Sequence, residues 1–344
     1  MTKNNEQFRE FLRDEVNLNQ SRLDRLETSV AAVNGYLKDH LTGYQKTERH
    51  GSHALGTLIK PVDDNDEYDA DNQIVMNPNP KWGARDYINE VEKTLKQNKN
   101  YADKLRGKTR CVTVDYAGDF HLDLVPRVTI NGKHYICNHR DNKFEETDGT
   151  GYREWFNERN RITGGNLKRV VRLLKFLRDH KNNYTAKSIL LTTLVGNTIK
   201  DSDEGTEAVS TVADTLVTVL TRMDDYLQKH PTMPSIRNPV LPTETFNRHW
   251  DQTKYANFRN RVHSHAATAK KAKAEQSSEK AIEIWQGLFG KEFGKSSTGG
   301  GGGTRGGGGG STPPKRPSNS PGGTAAAAGS VPLAPRPREA HRFG

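Results

Sequence analysis

Three aspartates have the types and spacing needed to bind divalent metal ions. Asp69 and Asp71 are two positions apart at the start of an apolar run that ends at Met76. In an extended strand they would share one face, with backbones about 7 Å apart. Carboxylates this close repel each other unless a cation lies between them, and oxygen ligands of this kind suit Mg²⁺. Taken alone, the pair is also typical of a solvated surface or a turn.

A third carboxylate occurs in a later strand-like segment. Asp123 lies between Leu122 and Leu124, whose side chains would point to the opposite face of a strand. A lone aspartate in such a strand is unfavourable unless it is exposed at an edge or has a function. If the two strands are neighbours, the three carboxylates converge. Convergent carboxylates of this kind are typical of two-metal phosphoryl transfer.

A glycine-serine pair precedes the aspartates. Gly51 and Ser52 open a short segment that ends in Gly56-Thr57. A turn of this kind leading into a helix can offer backbone N–H groups and a hydroxyl to phosphate oxygens. Such glycine-serine pairs are common. The prediction therefore depends on the order of the motifs along the chain, in which this pair precedes the two strands that carry the aspartates.

The surrounding elements indicate an α+β fold. Apolar residues at spacings of three and four predict helix over 6–41, as one long helix or two with a break near 17–19. A second helix is predicted over 84–97, and strand-like segments around Asp71, Val112, Asp123 and Tyr135 predict a mixed sheet of four or five strands. From 151 onward the pattern is mainly helical, including a final stretch over 243–289. We therefore predict a core over 1–160 and a helical domain over 161–295 that completes a cleft.

The last 49 residues differ in composition from the rest. The chain has 344 residues and a formal charge of +10, and residues 296–344 contain 14 of its 31 glycines and 7 of its 15 prolines. A segment with so few apolar residues cannot offset the entropy of ordering, which predicts a disordered basic tail. The charge and glycine content of the chain are therefore partly properties of this tail.

Several classes of protein are excluded by the sequence. Its apolar runs are shorter than a membrane span requires, and the N-terminus lacks the apolar segment of a secretory signal. Two cysteines, Cys111 and Cys137, cannot form a disulfide framework or a cysteine-rich zinc site. We expect a cytoplasmic protein that is not bound to a membrane.

The ordered motifs resemble those of the DNA polymerase β-like nucleotidyltransferases. More narrowly, the chain resembles the CD-NTases, the bacterial relatives of cyclic GMP-AMP synthase and oligoadenylate synthase. The similarity rests on HGSHALGT, on the later aspartates including that of HLDLVPR, and on NLKRVVRLLKFLRDH followed by AKSILLTTLV. It implies a polymerase β-like core with a mixed sheet and a long N-terminal spine helix, plus a C-terminal helical lobe.

The resemblance also implies roles for individual residues. Asp69, Asp71 and Asp123 would ligate two Mg²⁺ ions, with Mn²⁺ as an alternative. The donor triphosphate would be bound by Gly51, Ser52, Lys175 and Ser188. Ile189 follows Ser188 where some relatives carry a tyrosine that stacks on the base. Tyr68, Tyr152 and Tyr184 remain alternatives for that function.

The resemblance predicts a synthase in bacterial anti-phage (CBASS) defence. It would condense NTPs, ATP or GTP or both, into a cyclic di- or trinucleotide or a short oligonucleotide, with release of pyrophosphate. The alternatives are transfer of a nucleotide to a small acceptor or an RNA end, or a catalytically idle nucleic-acid-binding relative. Regulatory RNA is a possible further partner. A ubiquitin-activation-like enzyme could also conjugate the chain through Gly344, although a glycine at the end of a tail also occurs by chance.

Overall fold

The computed structural model describes residues 4–62, 67–116 and 119–295. The tail at 296–344, including Gly344, lies outside the described residues. The helices of eight or more residues are α2 Gln20–His40, α4 Ala84–Lys96, α5 Gly149–Ile162, α6 Asn166–Lys181, α7 Ser188–Asn197, α8 Val212–Gln228, α9 Gln252–Ala274 and α10 Ser278–Phe289. Two shorter helices are α1 Asn5–Phe11 and α3 Gly51–Leu55. No helix in these ranges is both long enough and apolar enough to cross a membrane.

The N-terminal helical region is broken where two asparagines interrupt the pattern. After α1 the chain forms a π-helical turn, Leu12–Val16, and becomes extended at Asn17. The side chain of Asn19 then accepts a hydrogen bond from the backbone N–H of Arg22 and caps α2. An asparagine cap satisfies an amide that would otherwise lack a partner, which explains why the helix restarts here. Of the two predicted forms, the structure has the interrupted one.

Seven strands form one mixed sheet, more than the four or five predicted. They are β1 Tyr44–His50, β2 Tyr68–Met76, β3 Leu105–Gly107, β4 Val112–Tyr116, β5 Phe120–Ile130, β6 Lys133–Asn138 and β7 Lys143–Glu146. The main order is β1-β2-β5-β4-β3, and β6 pairs with both β5 and β7. Strands β2 and β5 are parallel, and the other pairs are antiparallel. The prediction missed strands such as β1 and β7 because they are polar and half-exposed.

The sheet and the helices have separate apolar clusters. One includes Ile74, Leu122 and Leu124 of the sheet together with residues of α2 and α4. The other joins residues of α1 and of α5 to α10. Phe8 of α1 packs edge-on against Trp285 of α10, with ring centroids 5.0 Å apart. The first helix therefore packs with the C-terminal helices, whereas α2 packs with the sheet.

The final helical stretch begins later than predicted. Residues before Gln252 form a loop that contains a short 3₁₀ turn, Asn247–His249. Asp251 caps α9 by accepting a hydrogen bond from the backbone N–H of Lys254, at 2.8 Å. The prediction of helix from 243 was wrong at its start, because Phe246 and its neighbours belong to the loop. That loop lies beside the site described next.

Candidate active site

The parallel pairing of β2 with β5 brings two of the three aspartates together. Asp71 and Asp123 are Cα partners in the register of the two strands, and Asp69 is paired with His121. Leu122 and Leu124 enter the apolar cluster on one face of the sheet, so Asp123 takes the other face. Because residues two apart share a face, Asp69 lies on the same face as Asp71. The strand adjacency that the sequence argument required is present.

Both paired carboxyl groups are almost completely removed from solvent. Asp71 and Asp123 are each 2% exposed. Burial, followed by the charges of Asp123 and Asp69, raises the pKa of Asp71 well above its usual value. Its Oδ1 atom is buried and has no hydrogen-bond partner among the described residues. A divalent cation bound here would pair this oxygen and offset the repulsion, so these residues fit a Mg²⁺ or Mn²⁺ site.

Asp123 also contacts donors from the neighbouring hairpin. Lys108 Nζ lies 2.7 Å from its Oδ1 and 2.9 Å from its Oδ2. The Thr113 hydroxyl donates to Oδ1 at 2.5 Å. Asp123 therefore has both oxygens occupied by protein donors, unlike Asp71.

The Gly51-Ser52 turn lies directly against Asp71. Gly51 has φ +54°, and a Cβ built on it would lie 2.3 Å from Asp71 Oδ2. Both the backbone conformation and the close approach require glycine. The antiparallel pairing of β1 with β2 sets this contact, since His50 is the Cα partner of Asp71. Ser52, the next residue, lines the pocket in front of the aspartates.

Lys175 approaches the same pocket from helix α6. It is 4% exposed, and its ammonium donates to the backbone carbonyl of Thr57 at 3.0 Å. Burial, followed by the charge of Arg178, lowers the pKa of Lys175 to about 7. Ser188 is the first residue of α7, and its hydroxyl accepts a hydrogen bond from Arg178 at 3.3 Å. The structure thus brings Ser52, Lys175 and Ser188 to one pocket with Asp69 and Asp71.

This pocket, which we call the charged pocket, contains both cations and carboxylates. Its cationic side chains are Lys60, Lys175, Arg178, Lys187 and Arg248, and its carboxylates are Glu67, Asp69, Asp71 and Asp179. Glu67, Asp69 and Asp71 lie at or just before β2 and suit metal ions, whereas Asp179 lies on α6. The cations of the pocket suit phosphate oxygens. The arrangement matches the needs of a metal-bound triphosphate.

The three candidate tyrosines lie in different places. Tyr68 lines the charged pocket but packs against Phe120, and it is 6% exposed. Tyr152 is buried with its hydroxyl 2.8 Å from that of Thr193. Tyr184 packs against Phe258 in the helical cluster, which makes it unsuitable for stacking on a base. Phe246, which the sequence argument did not identify, lines the pocket together with Ile189.

A histidine lies close to two further acids beside the aspartates. His121 Nε2 is 2.7 Å from Glu67 Oε2, and its Nδ1 is 3.0 Å from Asp115 Oδ1. Their potential ligand atoms lie within 4.8 Å of one another. His121 Nδ1 and Asp115 Oδ1 have no hydrogen-bond partner among the described residues, so their 3.0 Å separation is a close approach and not a hydrogen bond.

The sequence argument missed several residues of the site, among them Arg178, Lys108, Phe246 and Arg248. Arg178 could have been found, because it lies three positions after Lys175 and so shares a face of α6. Lys108, Phe246 and Arg248 lie in a hairpin turn or a loop. No periodic pattern marks such positions, and only the tertiary structure brings them to the aspartates.

Comparison with known proteins connects this geometry to one family. Residues 1–160 match the family model of the Second Messenger Oligonucleotide or Dinucleotide Synthetase domain, SMODS. A curated c-di-GMP synthase of Roseivirga ehrenbergii is 27% identical over 316 residues, which cover 80% of this chain and 81% of the relative.

Solved structures share the fold across both clusters. The structure of CdnC from E. coli MS115-1 with ATP has a TM-score of 0.65 at 19% identity, covering 85% of this chain and 99% of that one. The structure of Vibrio cholerae DncV cyclic AMP-GMP synthase with nonhydrolysable GTP has a TM-score of 0.67 at 14% identity, covering 85% and 96%. The SMODS match over 1–160 and the fold shared with these structures agree with the resemblance to CD-NTases that the motifs indicated.

Proposed function

We propose that this chain condenses NTPs into a cyclic di- or trinucleotide, or a short oligonucleotide, and releases pyrophosphate. The observation that carries the proposal is the in-register pair Asp71 and Asp123 beside a pocket of phosphate-binding cations. The SMODS match and the similarity to a c-di-GMP synthase support the same reaction.

In this proposal the aspartates hold two Mg²⁺ ions, with Mn²⁺ as a substitute. Asp69, Asp71 and Asp123 supply the ligands, and the bound ions would acidify the attacking ribose hydroxyl and neutralise the leaving group. The hydroxyl oxygen bonds to the α-phosphorus of the donor as the bond to the β-phosphate oxygen breaks. Asp123 is the proposed acceptor of the hydroxyl proton.

The donor triphosphate would lie along the cationic side of the charged pocket. Lys175 reaches it from α6, while Ser52 and Ser188 offer hydroxyl groups from the starts of α3 and α7. Gly51 supports this arrangement because its missing side chain lets the turn approach Asp71. Such positioning, together with charge neutralisation, accounts for most catalysis of phosphoryl transfer.

A second pocket, which we call the second compartment, adjoins the charged pocket and shares two apolar side chains with it. Ile189 and Phe246 line both the charged pocket and this neighbouring one. The second compartment contains Gln73, 3% exposed, whose Nε2 atom has no hydrogen-bond partner among the described residues. An unpaired buried amide favours a ligand with polar edges over a highly charged group. We assign the acceptor nucleotide to the second compartment, with its base stacked on the ring of Phe246.

We place this synthesis in bacterial CBASS anti-phage signalling, in the cytoplasm, on the resemblance to CD-NTases. ATP and GTP are the proposed substrates, in keeping with the ATP and GTP analogue in the CdnC and DncV structures. Regulatory RNA and conjugation through Gly344 by a ubiquitin-activation-like enzyme remain predictions. We further propose a core over 1–160 and a helical domain over 161–295, since the charged pocket draws residues from both ranges.

The experiment that tests the proposal is incubation with α-³²P-labelled NTPs and Mg²⁺, without any acceptor, followed by phosphatase. A phosphatase-resistant product is expected for a cyclic messenger. Labelled product that appears only when an RNA or small acceptor is added would support nucleotide transfer instead. RNA binding without any NTP turnover would support the catalytically idle alternative.

A further inference from the structure

Lys108 is a cation that contacts both oxygens of a candidate metal ligand. Its ammonium spans both oxygens of Asp123, and the lysine side chain is 11% exposed. Lys108 belongs to none of the sequence motifs, and it has no role in the proposed reaction. Lys108 lies in the turn between β3 and β4.

The backbone that carries Lys108 is firmly held. Its N–H donates to the carbonyl of Cys111 at 2.9 Å, and the N–H of His139 donates to the carbonyl of Thr109 at 2.7 Å. Arg110, in the same turn, makes a bidentate ion pair with Glu145 at 2.6 and 2.9 Å. A fixed turn leaves the flexible lysine side chain as the part that can move.

The acceptor capacity of Asp123 is nearly used up by these protein donors. A carboxylate offers about four lone-pair positions. Lys108 takes one on each oxygen, and Thr113 takes another on Oδ1. Because the ammonium spans both oxygens, a divalent cation that binds Asp123 competes with it for the carboxylate. The ammonium is the donor that a cation also repels, so it is the one to leave.

We propose that Lys108 is a positioning residue whose ammonium competes with the divalent cation for Asp123 and moves to a triphosphate oxygen when the cation binds. This inference rests on the proposed function. A triphosphate offers the displaced ammonium a new partner of opposite charge. Lys108 thereby couples the two ligands, so that nucleotide strengthens metal binding and metal strengthens nucleotide binding by the same factor.

The proposal predicts that removal of the ammonium strengthens Mn²⁺ binding to the protein alone and weakens the effect of nucleotide on that binding. In Lys108→Met, Mn²⁺ binding to the protein alone should tighten about tenfold, because one positive charge has left the site. The further gain in Mn²⁺ affinity on adding a nonhydrolysable NTP should shrink relative to wild type. A lysine with a purely structural role would not change these constants in this way.

The test is a Mn²⁺ titration of the full chain, followed by electron paramagnetic resonance, with and without the NTP analogue. Lys93→Met is the matched control, because Lys93 is a 69% exposed lysine on α4 that pairs with Glu90, away from the aspartates. Lys108→Gln retains a hydrogen-bond donor without the charge and should behave as Lys108→Met does. If the methionine variant is unstable, Mn²⁺ should restore its melting temperature.

The outcomes separate this inference from the proposed function. Unchanged or weaker Mn²⁺ binding in both Lys108 variants would overturn the inference, as would two variants that stay unfolded in Mn²⁺. Asp123→Asn should weaken Mn²⁺ binding if Asp123 is a ligand. Loss of Mn²⁺ binding in Asp123→Asn, without tighter binding in the Lys108 variants, would reject the proposed competition. It would leave the proposed synthase function unaffected. Mn²⁺ binding that is unchanged in Asp123→Asn would reject the metal site itself.

Discussion

Asp71 and Asp123 lie opposite each other on parallel strands and are equally buried, yet only Asp123 is paired with a lysine. The Oδ1 atom of Asp71 is left without a partner in the described part of the chain. The two acids therefore differ in their need for a cation. Asp71 has an unpaired oxygen that a metal ion would fill, whereas Asp123 would exchange the Lys108 ammonium for a metal ion. This difference leads to the first prediction.

Asp71→Asn should stabilise the fold while abolishing pyrophosphate release. The pKa of Asp71 is raised in the folded state, so the fold favours the protonated form. Folding stability then falls as pH rises above the unfolded pKa of about 3.9, and the loss is present at pH 7. Melting curves in EDTA at pH 7 should show a higher melting temperature for Asp71→Asn. Asp39→Asn, at an exposed position of α2, should change neither quantity.

Gly51→Ala should reduce both stability and activity. The positive φ and the 2.3 Å approach to Asp71 Oδ2 both penalise a Cβ, at a cost of about 2 kcal/mol or more. Gly132→Ala is the matched control, because Gly132 also has positive φ (+78°) but has no atom within 4 Å of the added Cβ. Urea unfolding of both variants separates the cost of conformation from the cost of the clash. Equal losses in the two variants would contradict the contact with Asp71.

Lys175 should take up a proton when nucleotide binds above neutral pH. Its pKa is about 7, so it is mostly neutral at pH 8, and a bound triphosphate favours the charged form. Below pH 6 the ammonium is already protonated, and the uptake should vanish. Calorimetry of NTP-analogue binding, in two buffers of different ionisation enthalpy, measures the number of protons. If Lys175→Met shows the same uptake at pH 8, another group is responsible.

Phe246→Ala should weaken nucleotide binding, by about 1–3 kcal/mol if the ring stacks on a base. Phe246→Tyr retains an aromatic face and should bind nearly as wild type does. The measurement is the KM for each NTP, because a stacking contact made equally in ground and transition states changes KM more than kcat. An alanine variant with wild-type KM would remove Phe246 from the nucleotide site.

The sequence predicted the strands that carry the acids better than it predicted the elements around them. The alternation around Asp71 and Asp123 identifies strands, and Leu122 and Leu124 show which face the acid takes. Whether two strands are neighbours depends on long-range pairing that no local pattern encodes, so the adjacency came from family resemblance and then from the structure. The polar strand β1 was missed for the same reason, since its pairing with β2, rather than its own hydrophobicity, makes it a strand.

The residues that complete the site come from irregular segments. Phe246 lies in a loop that the sequence suggested was helical, and Lys108 lies in a hairpin turn. Such positions are set by tertiary contacts, for example the hydrogen bond from His139 to Thr109 that pins the turn. Helical spacing, in contrast, was sufficient to align Lys175 with Arg178 on α6.

Mass spectrometry of the products made from all four NTPs with Mg²⁺ tests the central claim most directly. Wild-type protein should yield a cyclic di- or trinucleotide, or a short oligonucleotide, with stoichiometric pyrophosphate. The folded Asp69→Ala/Asp71→Ala double variant should yield none. Full turnover by the double variant, or wild-type protein that forms no product joined from NTPs alone, would contradict the assignment of these aspartates as the centre of a nucleotide-condensing enzyme.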